Sequence, residues 1–311
     1  MKSITDIPDL KGKRVFVRVD WNVPMKDGKV LDDFRIKKSI PTLEYLRNAG
    51  AQVTIATHVA HGSVDPLVPF VPPSMTLLPN LRDNPGEEAN SEEFALELAA
   101  QSDIYVNEAF PESHREYASI VRVPKLLPSY AGFRFLEEVN ELSKAFNPPT
   151  PSLLILGGAK FETKIPLVNK FINIVDYIFI GGANAKPAFE TDLRNNPKIF
   201  FPHGDIGALD ADEETIEDLK SKIKQSEFVL WNGPLGNYEK GFKKGTLELA
   251  KILSESGKQV IVGGGDTLAS IRELNIYDKF SFVSPAGAAM LDFLVTGTLP
   301  GIEALKLSQV N

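Results

Sequence analysis

The chain has 311 residues, 43% of them hydrophobic and 24% charged, which is the ordinary balance of a folded globular protein and enough length for two domains rather than one core. It contains no cysteine, which excludes disulfides, thiolate metal sites and a cysteine nucleophile, and fits a reducing compartment. A net charge of −7 argues against a general nucleic-acid binder, so an anionic substrate needs a local basic cluster.

Met1 to Leu10 is polar, broken by Pro8, and lacks the pattern of a signal peptide. The longest apolar runs are of strand length, so no membrane partner is expected, and the expected location is cytoplasmic. Arg14 to Asp20 then reads as a strand in which Val15, Val17 and Val19 alternate with Phe16 and Arg18. Ile36 to Asn48 reads as a helix with Ile36, Ile40, Leu43 and Leu46 on one face, ending near Gly50. Gln52 to Thr57 is the next strand, and the alternation predicts a parallel sheet with helices on both faces. From Gly62 to Ser74 the Pro- and Val-rich sequence leaves no room for a helix. The rhythm resumes with a strand at Thr76–Leu78, a helix at Ser91–Gln101 and a strand at Asp103–Val106.

Asn147, Pro148, Pro149 and Pro151 mark a boundary near 145–151. Beyond it, five apolar strands each end in small residues before a helix: Gly157-Gly158-Ala159, Gly181-Gly182-Ala183, Asn232-Gly233-Pro234, Gly263-Gly264-Gly265 and Pro285-Ala286-Gly287. One such turn is only a tight turn. Five on the carboxyl edge of a parallel sheet predict a binding edge, suited by its glycines to phosphate. The chain has no Walker A loop, no Gly-x-Gly-x-x-Gly after the first strand of either half, no His-Glu-x-x-His and no Gly-x-Ser-x-Gly. P-loop, dinucleotide, zinc-hydrolase and serine-hydrolase chemistries thereby lose their main support.

Several ordered motifs resemble those of phosphoglycerate kinases. They are Arg18-Val19-Asp20-Trp21-Asn22-Val23-Pro24 (Trp21 stands where Phe is usual), Asp32 to Ile36, Asn80-Leu81-Arg82, Tyr105 to Phe110 and Ser113-His114-Arg115. Pro124 to Gly132, Gly157-Gly158-Ala159-Lys160, Trp231-Asn232-Gly233-Pro234, Gly263 to Thr267 and Leu299 to Leu305 complete the series, which covers nearly the whole chain. The resemblance implies two doubly wound, Rossmann-like α/β domains joined by a helical hinge. Residues 1–132 are expected to hold the glycerate, 133–150 to form the hinge helix and linker, and 151–299 to hold the nucleotide, with the 300–311 tail returning to the first domain.

It also implies roles. Arg35, Arg82 and Arg115 are expected on the acid substrate, with Arg35 also on the moving phosphate; guanidinium forks suit carboxylate and phosphate. Asp20, Asn22, His58 and His114 match further substrate contacts, the histidines as binding groups rather than acid–base catalysts. Lys160 is expected on the transferring phosphate and Lys164 on nucleotide phosphates, on one helix face if the helix has begun by Lys160. Asn232, Glu239, Gly263, Gly264, Gly265, Asp266, Thr267 and Gly287 complete the nucleotide set, and Asp266 is the expected Mg²⁺ ligand. The bland alternatives are a helix N-cap for Asp266, a turn residue for Asp20 and solvated charges for any single arginine or lysine. The implied ligands are ATP or ADP with 3-phosphoglycerate or 1,3-bisphosphoglycerate, and the implied state is a monomer.

Three departures from the family pattern stand out. The chain is shortened after Gly62 and again between Phe189 and Asp205, so the first domain is expected to be thinner, with some sheet face or edge uncovered and partner contact or oligomerisation as ways to cover it. His61 replaces an arginine. Ala286-Gly287-Ala288 replaces three glycines, where a left-handed alanine would cost roughly 1–2 kcal/mol. The segment Gly182–Pro187 also differs. These departures keep a second reading open, that of a non-catalytic relative acting as a binding or regulatory protein, beside a third in which the acid substrate is different.

Overall fold

The structure is a computed structural model that describes residues 1–60 and 62–308, so His61 and the last three residues of the tail lie outside the described residues. The chain divides into two compact units, Met1–Asn140 with the segment from Thr298 onward, and Glu141–Gly297. The division falls within the helix Phe133–Ser143.

The first unit is built on strands β1 (Arg14–Val19), β4 (Gln52–Ala56), β5 (Thr76–Leu77), β6 (Ile104–Glu108) and β7 (Ser129–Ala131); β2 (Met25–Lys26) and β3 (Lys29–Val30) form a separate hairpin. The sheet order is β5-β4-β1-β6-β7, every pairing parallel. β1 sits centrally with Val15, Val17 and Val19 buried; Phe16 on the other face stacks on Tyr105, ring centroids 5.9 Å apart. The expected first helix runs from Phe34 to Asn48 and buries Ile36, Leu43 and Leu46.

The stretch after Gly62 differs from expectation. It contains a six-residue 3₁₀ helix, Asp65–Phe70, with Leu67 wholly buried in the core and Phe70 and Val71 packed beside it. Tighter winding with three residues per turn tolerates Pro66 and Pro69 where an α-helix would not form. This short coil seats Leu67, Val64 and Val59 in the core of the first sheet.

The second unit contains β8 (Ser152–Leu156), β9 (Tyr177–Ile180), β10 (Ile199–Phe200), β11 (Phe228–Asn232), β12 (Gln259–Gly263) and β13 (Phe282–Ser284), in the order β10-β9-β8-β11-β12-β13, all parallel. Strand order reverses between β8 and β11, and such a switch point opens a crevice at the carboxyl edge. The five expected strands are present; β10 is an additional two-residue edge strand.

Candidate functional site

In the first unit, residues expected on the acid substrate follow the carboxyl ends of the strands: Asp20 and Asn22 after β1, His58 after β4, Arg82 after β5, and His114 and Arg115 after β6. Arg35 comes from the first turn of the helix Phe34–Asn48 and binds Asp20, with Nη1 2.7 Å from Oδ2 and 3.3 Å from the Asn22 carbonyl. Asn22 Oδ1 in turn accepts from the Ala60 amide at 3.0 Å, which ties this loop to the segment that carries His58.

Behind these groups lies a wholly buried arginine. Arg18 donates through Nε to Ser119 Oγ (2.9 Å), through Nη1 to the Val19 carbonyl (2.5 Å) and through Nη2 to His58 Nδ1 (3.0 Å). Its charge faces buried Glu87, 3.9 Å away, which also accepts from the Ser119 amide and hydroxyl. Ser119 is held there by a single π-helical turn, Ala118–Arg122. Because guanidinium can only donate, His58 Nδ1 must be an acceptor and its proton must sit on Nε2. Burial, reinforced by Arg18 and then Arg82, Arg115 and Arg35, holds its pKa far down, at about 2. His58 is therefore a neutral hydrogen-bonding group throughout the working range and not a proton shuttle.

Arg82 and Arg115 share Tyr117. Arg115 Nη1 donates to the Tyr117 hydroxyl at 2.7 Å and Arg82 Nη2 at 3.5 Å, while the hydroxyl donates to Glu88 at 3.2 Å. Both guanidinium groups also lie near the ring, at 6.0 Å and 5.4 Å from its centroid. Arg82 Nε is 3.2 Å from Glu88, and Arg115 Nε donates to His114 Nε2 at 3.3 Å. The geometry thus gathers Arg18, Arg35, Arg82, Arg115, His58 and His114 on one edge, each arginine with a carboxylate within 4 Å: Glu87, Asp20, Glu88 and Glu112 in turn.

In the second unit, a cavity of about 760 Å³ opens at the switch point. Lys160, Lys164, Asn232, Glu239, Gly264, Gly265, Asp266 and Thr267 all line it, as do Gly182, Ala183, Lys186 and Pro187 from the divergent segment. Gly263 and Gly287 do not line it; a side chain at Gly263 would strike Met290 Sδ at 2.2 Å, a packing reason for that glycine. The β8 and β11 turns close on one another: a Cβ at Gly157 would meet the Pro234 carbonyl at 2.2 Å, and one at Gly233 the Gly157 carbonyl at 2.3 Å. Glycine here serves loop–loop contact as well as ligand approach. At Gly264 the backbone takes φ 105°, which turns β12 into the helix Gly265–Leu274 and directs its N-terminus at the cavity. A helix N-terminus favours anions.

The two lysines do not share a helix face. Lys160 is left-handed, φ 63° and ψ 59°, and caps a 3₁₀ turn, Phe161–Thr163; the α-helix begins only at Ile165. Pro166 in the first helical turn and the compact 3₁₀ turn before it delay the start. Lys160 is consequently exposed at the mouth, whereas Lys164 is buried, with Nζ donating to the Gly157 carbonyl. Burial lowers the Lys164 pKa to about 8, against an opposing pull from Asp266. Asn184 Nδ2 donates to the same carbonyl at 2.7 Å.

Asn232 Nδ2 is buried with no hydrogen-bond partner among the described residues, a donor left for a ligand. Thr267 Oγ1 accepts from the Gly233 amide at 2.9 Å and so holds the loop beside it. Asp266 is exposed in the first turn of its helix. Among the described residues no group of three His, Cys, Asp or Glu side chains is placed to hold a metal. The exposed Asp266 carboxylate at the helix N-terminus that faces the cavity fits Mg²⁺, which takes few protein ligands and the rest from phosphate and water. Sequence reasoning missed Arg18 as a scaffold, Glu112, Tyr117, Asn184 and the cavity-lining Tyr238; the motif around Arg18 and the divergent Gly182–Pro187 segment that holds Asn184 carried a signal.

The phosphoglycerate kinase family model matches residues 4–66, 68–192 and 188–297. The chain belongs to the phosphoglycerate kinase family. The phosphoglycerate kinase of Fervidobacterium nodosum is 34% identical over 392 residues, covering 97% of this chain and 98% of the relative. That of a Wolbachia of Drosophila simulans is 36% identical over 386 residues, covering 96% and 97%. Both alignments are longer than this 311-residue chain, so these phosphoglycerate kinases carry segments it lacks. The family model breaks near 66–68 and 188–192, at the two shortenings read from the sequence. Among solved structures, phosphoglycerate kinase from Coxiella burnetii superposes with a TM-score of 0.84 at 29% identity, covering 98% of each chain. The Pyrococcus horikoshii phosphoglycerate kinase gives 0.86 at 25% identity over both whole chains.

Proposed function

We propose that the protein catalyses reversible phosphoryl transfer from 1,3-bisphosphoglycerate to MgADP, giving 3-phosphoglycerate and MgATP, with the acid on the first unit and the nucleotide on the second. Its membership of the phosphoglycerate kinase family makes it a phosphotransferase with a carboxyl acceptor. The observation that carries the assignment of ligands is the contrast between the two sheet edges. One gathers four arginines around Asp20 and His58. The other has a 760 Å³ cavity lined by Lys160, Lys164 and Lys186, a helix N-terminus and the carboxylates of Glu239 and Asp266.

In this reading Arg82 and Arg115 take the anionic ends of the acid as directed forks. Asp20 and Asn22 hold its hydroxyl side, and neutral His58 offers Nε2–H. Lys164, Asn232 Nδ2 and the amides at Gly265 and Asp266 receive nucleotide phosphates, with Thr267 fixing the loop and Glu239 placed for the ribose. A terminal phosphate oxygen of ADP attacks the acyl phosphorus, the P–O bond to the carboxyl group breaks, and the electron pair leaves with the carboxylate. Charge spreads over the transferring oxygens, and Arg35 and Lys160 are assigned to it. Asp266 would hold Mg²⁺ together with the nucleotide phosphates; the ion supplies charge neutralisation there. The chemistry requires acid and nucleotide to meet in line with water excluded, since water would hydrolyse the acyl phosphate.

Among the described residues no single helix is long and apolar enough to cross a membrane. We assign the protein to the cytoplasm as a monomer acting on small anions, without a nucleic-acid partner. The reading is tested by a coupled assay with 3-phosphoglycerate and MgATP. Lys160→Ala is expected to lower kcat about 10²–10³-fold with KM little changed. Wild-type turnover in that variant would remove Lys160 from the reacting centre. Failure of the wild-type protein to turn over, while folded, would overturn the assignment.

A further inference from the structure

The loop after β6 places a carboxylate inside the basic cluster that the mechanism above does not use. Glu112 ends the 3₁₀ turn Phe110–Glu112 and is buried, 5% exposed. Its Oε1 lies 3.6 Å from His58 Nε2 and its Oε2 3.7 Å from Arg115 Nη1. The latter oxygen is buried without a hydrogen bond among the described residues. Both neighbours are groups assigned to the acid substrate. The charged groups facing Glu112 are Asp20 and Arg18 from β1 and its end, His58 after β4, Arg82 after β5, and Arg115 on its own loop.

We propose that Glu112 is a built-in counter-anion of the acid-binding edge, facing the Arg115 guanidinium beside neutral His58 when substrate is absent and discharged by a proton when the anionic substrate binds. The inference rests on the assignment of the acid to this edge. Its physical basis is like-charge exclusion: two anions competing for one arginine fork at close range cannot both stay ionised in a buried setting. Asp20 is held directly by Arg35, at 2.7 Å. The Glu112 contacts are longer and looser, and no N–H donor holds its Oε2. Burial, and then the nearby Asp20 charge, already pushes the Glu112 carboxyl up to about 6, within reach of protonation near neutral pH. A proton from solvent adds to the carboxylate and no bond to carbon or phosphorus changes.

Calorimetric titration of the full chain with 3-phosphoglycerate, in PIPES and in imidazole at pH 7, measures the protons exchanged. The wild-type protein should take up ~0.5–1 proton per substrate bound relative to Glu112→Gln, which should take up none. The variant should also bind roughly tenfold tighter at pH 7, because no discharge is needed. Equal proton exchange in the two proteins, with both binding, overturns the role of Glu112 alone. Absence of binding in both, with the proteins folded, overturns the assignment of this edge and the inference with it. Should Glu112→Gln not fold, the wild-type pH series still decides. Ionisation of the substrate phosphate tightens binding as pH rises, whereas discharge of Glu112 weakens it. Affinity falling from pH 6 to 8 supports the proposal, and affinity rising overturns it.

Discussion

At the scale of single residues, burial sorts charges into working and supporting roles. Lys160 and Lys164 have the same chemistry and lie four residues apart, yet one is exposed at the cavity mouth and the other is buried against a carbonyl. The buried lysine carries its positive charge only below its lowered pKa of about 8. If it receives nucleotide phosphate, kcat/KM for the nucleotide should fall as pH rises through about 8, since that parameter reports the free enzyme. Lys164→Met should lower kcat/KM by about 10–100-fold, the worth of a charged hydrogen bond, and abolish that fall. A pH profile with the same descent in the variant would assign it to another group. Trp21, in place of the usual Phe, is accommodated by a single partner: its Nε1 donates to Ser39 Oγ at 2.8 Å. The larger ring therefore leaves no buried donor unpaired.

At the scale of elements, the loops at the carboxyl edges decide what the strands can present. The altered turn after β13 illustrates how a departure from a pattern can be silent. Of Ala286, Gly287 and Ala288, only Gly287 has a positive φ, 54°. The penalty expected for left-handed alanine therefore does not arise, because glycine is retained at the one position that needs it. Ala286→Gly and Ala288→Gly should leave turnover unchanged, and the latter should cost up to about 1 kcal/mol as a helix residue. In contrast, Gly264→Ala forces alanine to φ 105° with its Cβ 3.2 Å from Thr267 Oγ1. Chemical denaturation should show a loss of at least roughly 1–2 kcal/mol, together with weaker nucleotide binding. Gly264→Ala behaving like the two alanine reversions would contradict this account of the β12 turn.

At the scale of the whole molecule, two buried carboxylates set a pH dependence of stability. Glu108, at the end of β6, accepts from the Thr42 hydroxyl and from the Arg134 and Phe135 amides, so it caps the helix Phe133–Ser143. Burial pushes its pKa up to about 8 in spite of those hydrogen bonds, as burial pushes Glu112 up to about 6. A carboxyl whose pKa is raised by folding holds a proton in the native state that the unfolded chain releases. Its contribution is full below the ordinary glutamate pKa, about 4.3, and is lost as pH rises through the folded value. The melting temperature should thus decline between pH 6 and 9. Glu108→Gln should flatten the upper part of that decline; an unchanged slope would place the linkage elsewhere.

The sequence by itself determined the alternation of strands and helices, the parallel sheets, the small-residue turns at their carboxyl ends, the family and the two shortenings. These are local patterns and ordered motifs, and residues such as Val15, Val17 and Val19 or Gly263 to Thr267 display them in one dimension. The 3₁₀ helix at Asp65–Phe70 escaped because its prolines forbid the α-helix but not the tighter turn. Lys160 and Lys164 parted because the start of a helix depends on how the preceding loop packs. Arg18, Glu112, His58 and Tyr117 acquire their roles from partners that come from different strands. The tautomer and depressed pKa of His58 follow from a guanidinium forty residues away in sequence and 3.0 Å away in space. Only the tertiary structure decided those, because desolvation and charge depend on what surrounds a group and not on what adjoins it along the chain.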